Sequence, residues 1–164
     1  MLEKEKIKRI IFDLDYTLLY TRWYSREAEF YKEYIPGVSD EFANGMFKIL
    51  TAYEENYDRY DQTLLLNHLN KYCNVKLDRK FLFIWDEELT KYDAEVSSST
   101  KETLKYLKNK YELVILTNWF ESVQIERMKN AGLYEYFDEI YAGDDIMKPN
   151  KESYLKACSM HKPS

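Results

Sequence analysis

The hydrophobic positions of this chain change period twice. Ile10-Ile11-Phe12 is a short unbroken apolar run, the mark of a buried strand, and predicts strand one at residues 9–13. From about residue 25 to 92 the apolar residues recur every three or four positions, which is the helical period. Phe30, Tyr31, Tyr34 and Ile35 share one helix face, and Pro36-Gly37 ends it. Phe42, Met46, Ile49, Leu50 and Tyr53 form a second stripe, entered through Ser39-Asp40. Leu65, Leu69 and Tyr72 form a third after Asp61, and Phe81, Trp85, Leu89 and Tyr92 a fourth, with Asp78 as its N-cap. Four amphipathic helices in a row predict a small bundle.

Beyond the polar break Ser97-Ser98-Ser99-Thr100 the apolar runs shorten again. Ser99 with Glu102 fits a capping box and predicts a helix over about 100–109. Leu113-Val114-Ile115-Leu116 predicts a strand ending at Thr117-Asn118, then a helix over about 121–131 with Gly132 as its C′ residue. Glu139-Ile140-Tyr141-Ala142 predicts a third strand, and Lys148-Pro149 precedes a last helix at about 151–160. Strands alternating with helices imply a parallel sheet with right-handed crossovers. The expected fold class is α/β: a Rossmann-like core at residues 1–20 and 93–164, interrupted by a helical cap at 21–92.

Bulk numbers narrow the function without naming it. A length of 164 residues suits one ordinary domain or a small core carrying an insertion, and 45% hydrophobic with 32% charged residues is globular composition. A net charge of -5 and a pI near 5.2 argue against a nucleic-acid partner, and no apolar run approaches a membrane span. The N-terminus carries no apolar signal core. Cys73 and Cys158 have no metal-like spacing and read as buried thiols, which together predict a cytoplasmic protein.

The chemistry concentrates at the strand ends. Asp13-Leu14-Asp15-Tyr16-Thr17 follows strand one directly. Asp is disfavoured in strands and costly beside a core, so two carboxylates here call for a function. In an open parallel sheet all strands end on one edge, where ligands bind. That edge would gather Asp13, Asp15, Thr117-Asn118 and Lys148. Such a set suits phosphoryl transfer: an Asp nucleophile, a second Asp as acid and base, and Thr, backbone N–H and Lys on the phosphoryl oxygens. Mg²⁺ would offset the repulsion between carboxylate and phosphate.

At these residues the chain resembles the haloacid dehalogenase superfamily, in the branch of phosphoglycolate phosphatase-like enzymes with a helical cap after the first motif. Motif one resembles Asp13-Leu14-Asp15-Tyr16-Thr17-Leu18, motif two Thr117-Asn118, and motif three Lys148-Pro149. The resemblance implies Asp13 as nucleophile and Mg²⁺ ligand, and Asp15 as acid/base with its backbone carbonyl on the metal. Thr117 and the Asn118 backbone would bind phosphate, and Lys148 would neutralise it. Superfamily dehalogenases lack the second Asp of motif one, so Asp15 points to phosphatase or phosphomutase chemistry on a small phosphorylated metabolite. Two positions that are often Gly in the family hold Tyr16 and Trp119, and Trp119 could narrow the site.

A fourth family motif, an acidic pair or triplet on a further strand, has no counterpart before Ser164. The sheet is therefore expected to lack its C-terminal part and to leave strand one as an edge, open to pairing with a second copy. Either a homodimer covers that edge, or the chain is a catalytically incomplete piece of a longer protein. Gly143-Asp144-Asp145 has the letters of the missing motif, but one helix alone separates it from Thr117 and Lys148 follows it, so it reads better as a solvated loop. His68 and His161 read as ordinary helix residues. Arg22, Trp23, Tyr53, Tyr57 and Tyr60 read as packing or solvent-facing rather than specificity residues.

Overall fold

A computed structural model describes residues 7–159. The predicted reach of the last helix to residue 160, and His161, lie outside the described residues. Three parallel strands, β1 (Arg9–Phe12), β2 (Glu112–Leu116) and β3 (Glu139–Tyr141), form a sheet in the order β1-β2-β3. Ile11 registers with Val114, and Val114 with Glu139. Among the described residues β1 is thus an edge, as expected. At the sheet's N-terminal end Arg9 holds the strands together, bonded to Glu112 at 2.7 and 2.9 Å and paired with Glu139 at 3.2 Å. The carboxyl ends lie on the opposite edge, clear of that cluster.

Between β1 and β2 run four helices: α1 (Trp23–Tyr34), α2 (Asp40–Asn56), α3 (Gln62–Leu69) and α4 (Arg79–Leu89). Three of them start at side-chain caps: Ser39 accepts from the Phe42 N–H, Asp61 from Thr63 and Leu64, and Asp78, the expected N-cap, from Phe81. Trp23, Phe30, Tyr31, Phe42, Tyr53 and Trp85 are at most 4% exposed and form an aromatic core among these helices. Tyr72 departs from expectation: it falls in the turn after α3, where the stripe no longer faces the bundle, and is 49% exposed. His68 is a core residue, buried and bonded through Nε2 to the Ile49 carbonyl at 2.9 Å.

The chain crosses twice between the bundle and the sheet, at Tyr20–Thr21 and at Tyr92–Ala94, and these crossings pair with each other. Arg22 N–H donates to the Tyr92 carbonyl at 2.8 Å, and Ala94 N–H to that of Tyr20 at 2.7 Å. Helix α5 (Ser98–Lys108) then leads to β2, and α6 (Glu121–Asn130) and α7 (Lys151–Cys158) follow β2 and β3. The N-cap of α5 is Ser97, bonded to the Thr100 N–H, rather than Ser99. Four consecutive hydroxyl residues offer equal caps locally, and the buried Val96 fixes where the helix can start. Gly132 ends α6 with φ +63°, the left-handed conformation expected of C′. Cys158 is exposed rather than buried, because α7 turns Ser153 and Ala157 to the sheet instead.

A second contact region joins bundle and sheet. Tyr60 N–H donates to the Gly143 carbonyl at 2.7 Å, Gly143 N–H to that of Trp119 at 2.8 Å, and Met147 N–H to that of Asp58 at 2.8 Å. A Cβ on Gly143 would stand 2.7 Å from the Tyr60 ring and 2.8 Å from the Trp119 nitrogen, so only glycine allows this approach. The Gly143-Asp144-Asp145 segment is therefore a junction. Asp144 accepts from the Glu121 N–H at 3.0 Å and Asp145 pairs with Lys156 at 2.6 Å.

Candidate active site

Asp13 lies one residue past β1. The chain turns at once, with Leu18 and Leu19 N–H both on the Leu14 carbonyl at 3.0 Å and the fully buried Leu14 and Leu19 anchoring the loop. The turn brings the Thr17 hydroxyl onto Asp13 Oδ2 at 2.9 Å, and Lys148 Nζ pairs with Asp13 Oδ1. Lys148 arrives from the far side of the sheet and is steadied through its backbone. Asn118 Oδ1 accepts from the Lys148 N–H at 2.8 Å, and Asn118 Nδ2 donates to its carbonyl at 3.2 Å. Asp13, Asn118 and Lys148 therefore meet at one edge.

Asp15 belongs to a different network, built from α6. Arg127 reaches Asp15 Oδ1 at 2.7 Å and holds Asp93 with two bonds at 2.7 and 2.9 Å. Gln124 donates to Asp15 Oδ2 at 3.0 Å, to Thr117 Oγ1 at 2.9 Å and to the Asn118 carbonyl at 2.9 Å, while its own oxygen accepts from Arg127 at 2.7 Å. Burial works against the Arg127 charge, but the Asp93 bonds and the charges of Asp15 and Asp93 outweigh it and raise its pKa. None of Gln124, Arg127 and Asp93 was singled out in the sequence. One signal was there: the buried stripe of α6 is Val123, Gln124, Arg127 and Met128, half of it polar.

Tyr16 and Trp119, the residues at the two often-Gly positions, both have positive φ, +58° and +72°. The backbone there is left-handed, which is what favours glycine. Trp119 packs on Trp85 with ring centroids 5.0 Å apart, and its Nε1 donates to Asp86 at 3.0 Å. Burial lifts the Asp86 carboxyl from its ordinary 3.8 to about 6, against the opposing Trp119 bond.

Over Asp15 opens a cavity of about 260 Å³ between the bundle and the Thr117-Asn118-Trp119 turn. Trp23, Trp85, Trp119 and Tyr60 supply aromatic wall, and Glu27 and Glu54 carboxylates. Trp23 and Tyr60, read as packing from sequence, are both buried and part of this wall. Tyr60 donates to Glu54 at 2.6 Å; burial first, then the Glu54 charge, raises its pKa. Burial also raises Glu27, opposed by bonds from Trp23 and Tyr31.

No cluster of three acidic, His or Cys side chains forms a metal site among the described residues. The donor set at the edge still fits Mg²⁺, which is commonly held by one or two carboxylates with water and phosphate oxygens completing its shell. Asp13 offers a hard oxygen donor. The Asp15 carboxylate is engaged by Arg127 and Gln124, and the metal ligand that the family resemblance implies at this residue is its backbone carbonyl. No helix among the described residues is long and apolar enough to cross a membrane.

Comparison with known proteins gives a consistent family. A search of curated proteins finds no match. Among solved structures, the chain superposes on the HAD-hydrolase YfnB of Bacillus subtilis, in a magnesium-bound form, with a TM-score of 0.61 at 22% identity, covering 92% of this chain and 71% of that one. L-2-haloacid dehalogenase from Xanthobacter autotrophicus matches with a TM-score of 0.59 at 19% identity, over 92% of this chain and 63% of that one. A HAD phosphatase from Thermococcus onnurineus matches with a TM-score of 0.59 at 22% identity, over 92% and 69%. These identities show a shared Rossmann-like fold. The family model for haloacid dehalogenase-like hydrolases matches residues 10–163, nearly the whole sequence, and the chain belongs to that family.

Proposed function

We propose that the chain is a cytoplasmic, Mg²⁺-dependent phosphatase acting on a small phosphate monoester through an aspartyl-phosphate intermediate. The observation that carries this reading is the Asp13 carboxylate at the end of β1, flanked by Lys148 and the Thr17 hydroxyl, with Asp15 two residues on. Asp13 attacks phosphorus, the ester P–O bond breaks, and Asp15 gives its proton to the departing alkoxide. Water then attacks the aspartyl phosphate, Asp15 takes its proton, and phosphate leaves with Asp13 restored. Lys148, Thr117 and the Asn118 backbone offset charge on the phosphoryl oxygens. When bound at Asp13 and the Asp15 carbonyl, Mg²⁺ supplies further positive charge against the phosphate.

Asp15 also favours phosphoryl transfer over dehalogenation. A halide departs without a proton, whereas an alkoxide needs one. Arg127 is anchored on Asp93 by two bonds and touches Asp15 by one, so Asp15 can turn to the substrate without unseating the guanidinium. A phosphomutase would use the same groups, and its product would be an isomeric phosphate ester instead of free phosphate.

The test is Mg²⁺-dependent hydrolysis of p-nitrophenyl phosphate, with Asp13→Asn as the control. We expect turnover in the parent chain and a loss on the order of 10³-fold or more in the variant, the scale set by removing a nucleophile. Turnover unchanged in Asp13→Asn would remove the proposed nucleophile. A second, non-catalytic reading is favoured by β1 lying at the sheet edge. It has two copies pairing there, and light scattering on a folded, inactive protein would read a dimer.

A further inference from the structure

Carboxylates on the two sides of the site are treated differently. On the sheet side Asp13 has Lys148, while Asp15 and Asp93 share Arg127. On the bundle side three partly buried carboxylates, Glu27, Glu54 and Asp86, have no Lys, Arg or His in ion-pair reach among the described residues. Their bonds are all to neutral donors. Trp23 and Tyr31 donate to Glu27 Oε1 at 3.0 and 2.9 Å, Tyr60 and Asn118 to Glu54 Oε1 at 2.6 and 3.1 Å, and Trp119 to Asp86 at 3.0 Å. The second oxygens of Glu27 and Glu54 take no hydrogen bond among the described residues, and both residues line the cavity. A buried carboxylate without a cation is costly.

The rest of the wall has matching chemistry. All three tryptophans of the chain line this one cavity. Aromatic faces attract cations, indole most strongly, and the attraction grows as water is excluded. Arg127 is the cation of the lining, and its charge is matched by Asp15 and Asp93.

We propose that this cavity selects phosphate monoesters whose alcohol carries a cationic nitrogen, held against the tryptophans and between Glu27 and Glu54. The assignment rests on the phosphatase reading above for the placement of the phosphate, and on the cavity alone for the choice of alcohol. The cation supplies the charge that Glu27 and Glu54 lack.

The test compares phosphocholine with 3,3-dimethylbutyl phosphate, its neutral isostere in which carbon replaces nitrogen. Binding is read by tryptophan fluorescence, since every tryptophan lines the cavity. Phosphocholine is expected to bind about 10-fold tighter or better, the scale of a desolvated cation–π and carboxylate contact. That preference should shrink to a few-fold at most in Glu27→Gln plus Glu54→Gln. Equal or tighter binding of the neutral ester overturns the assignment, as does a preference that survives the double substitution in a folded protein. So does tighter binding of uridine monophosphate than of phosphocholine. Hydrolysis of p-nitrophenyl phosphate separates the two readings. Turnover without cation preference sinks the cavity assignment alone. Cation preference without turnover of either phosphocholine or p-nitrophenyl phosphate sinks the phosphatase and leaves the cavity's selectivity standing.

Discussion

The sheet side and the bundle side of this site treat their carboxylates in opposite ways. On the sheet side Lys148 serves Asp13, and Arg127 serves Asp15 and Asp93. Across the cavity Glu27, Glu54 and Asp86 sit among aromatic rings with neutral donors only. Charge matched from within keeps a fixed geometry, which suits the phosphoryl chemistry proposed for these groups. Charge left unmatched costs stability until a ligand supplies it, which suits groups that must discriminate. The comparison separates what is common to the chemistry from what is particular to the substrate.

Removing the cation on the sheet side should have the largest effect on stability. Arg127→Met strands Asp93, whose side chain is 8% exposed, and removes one partner of Asp15. Breaking a buried pair from one side typically costs about 3–5 kcal/mol. Asp15 is partly solvated, so we expect the lower end, near 3 kcal/mol, read from urea denaturation midpoints. Arg127→Lys should recover part of it, because a lysine cannot reproduce the two parallel bonds to Asp93. A loss under about 0.5 kcal/mol for Arg127→Met would mean that the sheet-side network is not held by charge, and the contrast would collapse.

That network is also the part of the site least legible in the sequence. The strands, four bundle helices and most caps were legible, because hydrophobic period and Ser or Asp at the helix starts are local signals. The placement of Asp13, Asp15, Thr117 and Lys148 was legible because parallel strands end on one edge. Gln124 and Arg127 were not, since a polar residue in a helical stripe looks like a solvated one until the stripe's partner is known. Glu27 and Glu54 were hidden for the same reason, on helices rich in exposed acids. Two tertiary contacts overrode local cues elsewhere: Val96 moved the α5 cap to Ser97, and the Gly143 junction spent the acidic pair that follows it on a helix end and a lysine.

On the bundle side the corresponding change should help rather than harm. Asp86 is raised from 3.8 to about 6 by burial, so the folded state holds its proton more tightly than the unfolded chain. Its contribution is therefore complete below about pH 4 and is lost as pH rises through about 6, and stability falls across that window. Asp86→Asn keeps an acceptor for the Trp119 N–H and abolishes this titration. Above pH 6 the variant should be more stable than the parent by on the order of 2 kcal/mol or less, with no gain near pH 4. Glu27 is shifted in the same direction by burial, so a shallower slope should persist in the variant. A variant that is less stable at pH 7 would show that Asp86 is matched by a charge after all.

The smallest effect tests the turn that joins the two sides. Tyr16 holds φ +58° between Asp15 and Thr17, and its ring reaches toward the bundle, stacked on Tyr24 at 5.9 Å and edge-on to Tyr20 at 6.0 Å. Two contributions therefore oppose each other: left-handed backbone disfavours any L side chain, and the ring contacts favour this one. Removing the ring in two ways separates them. Tyr16→Ala and Tyr16→Gly lose the same contacts, but only alanine keeps the backbone penalty. Glycine should thus be the more stable variant by about 1 kcal/mol, reversing the usual order in which glycine's extra chain entropy makes it the weaker choice. If alanine were equal or better, the left-handed turn would carry no strain, and the bundle contacts of Tyr16 would alone explain a tyrosine at this position.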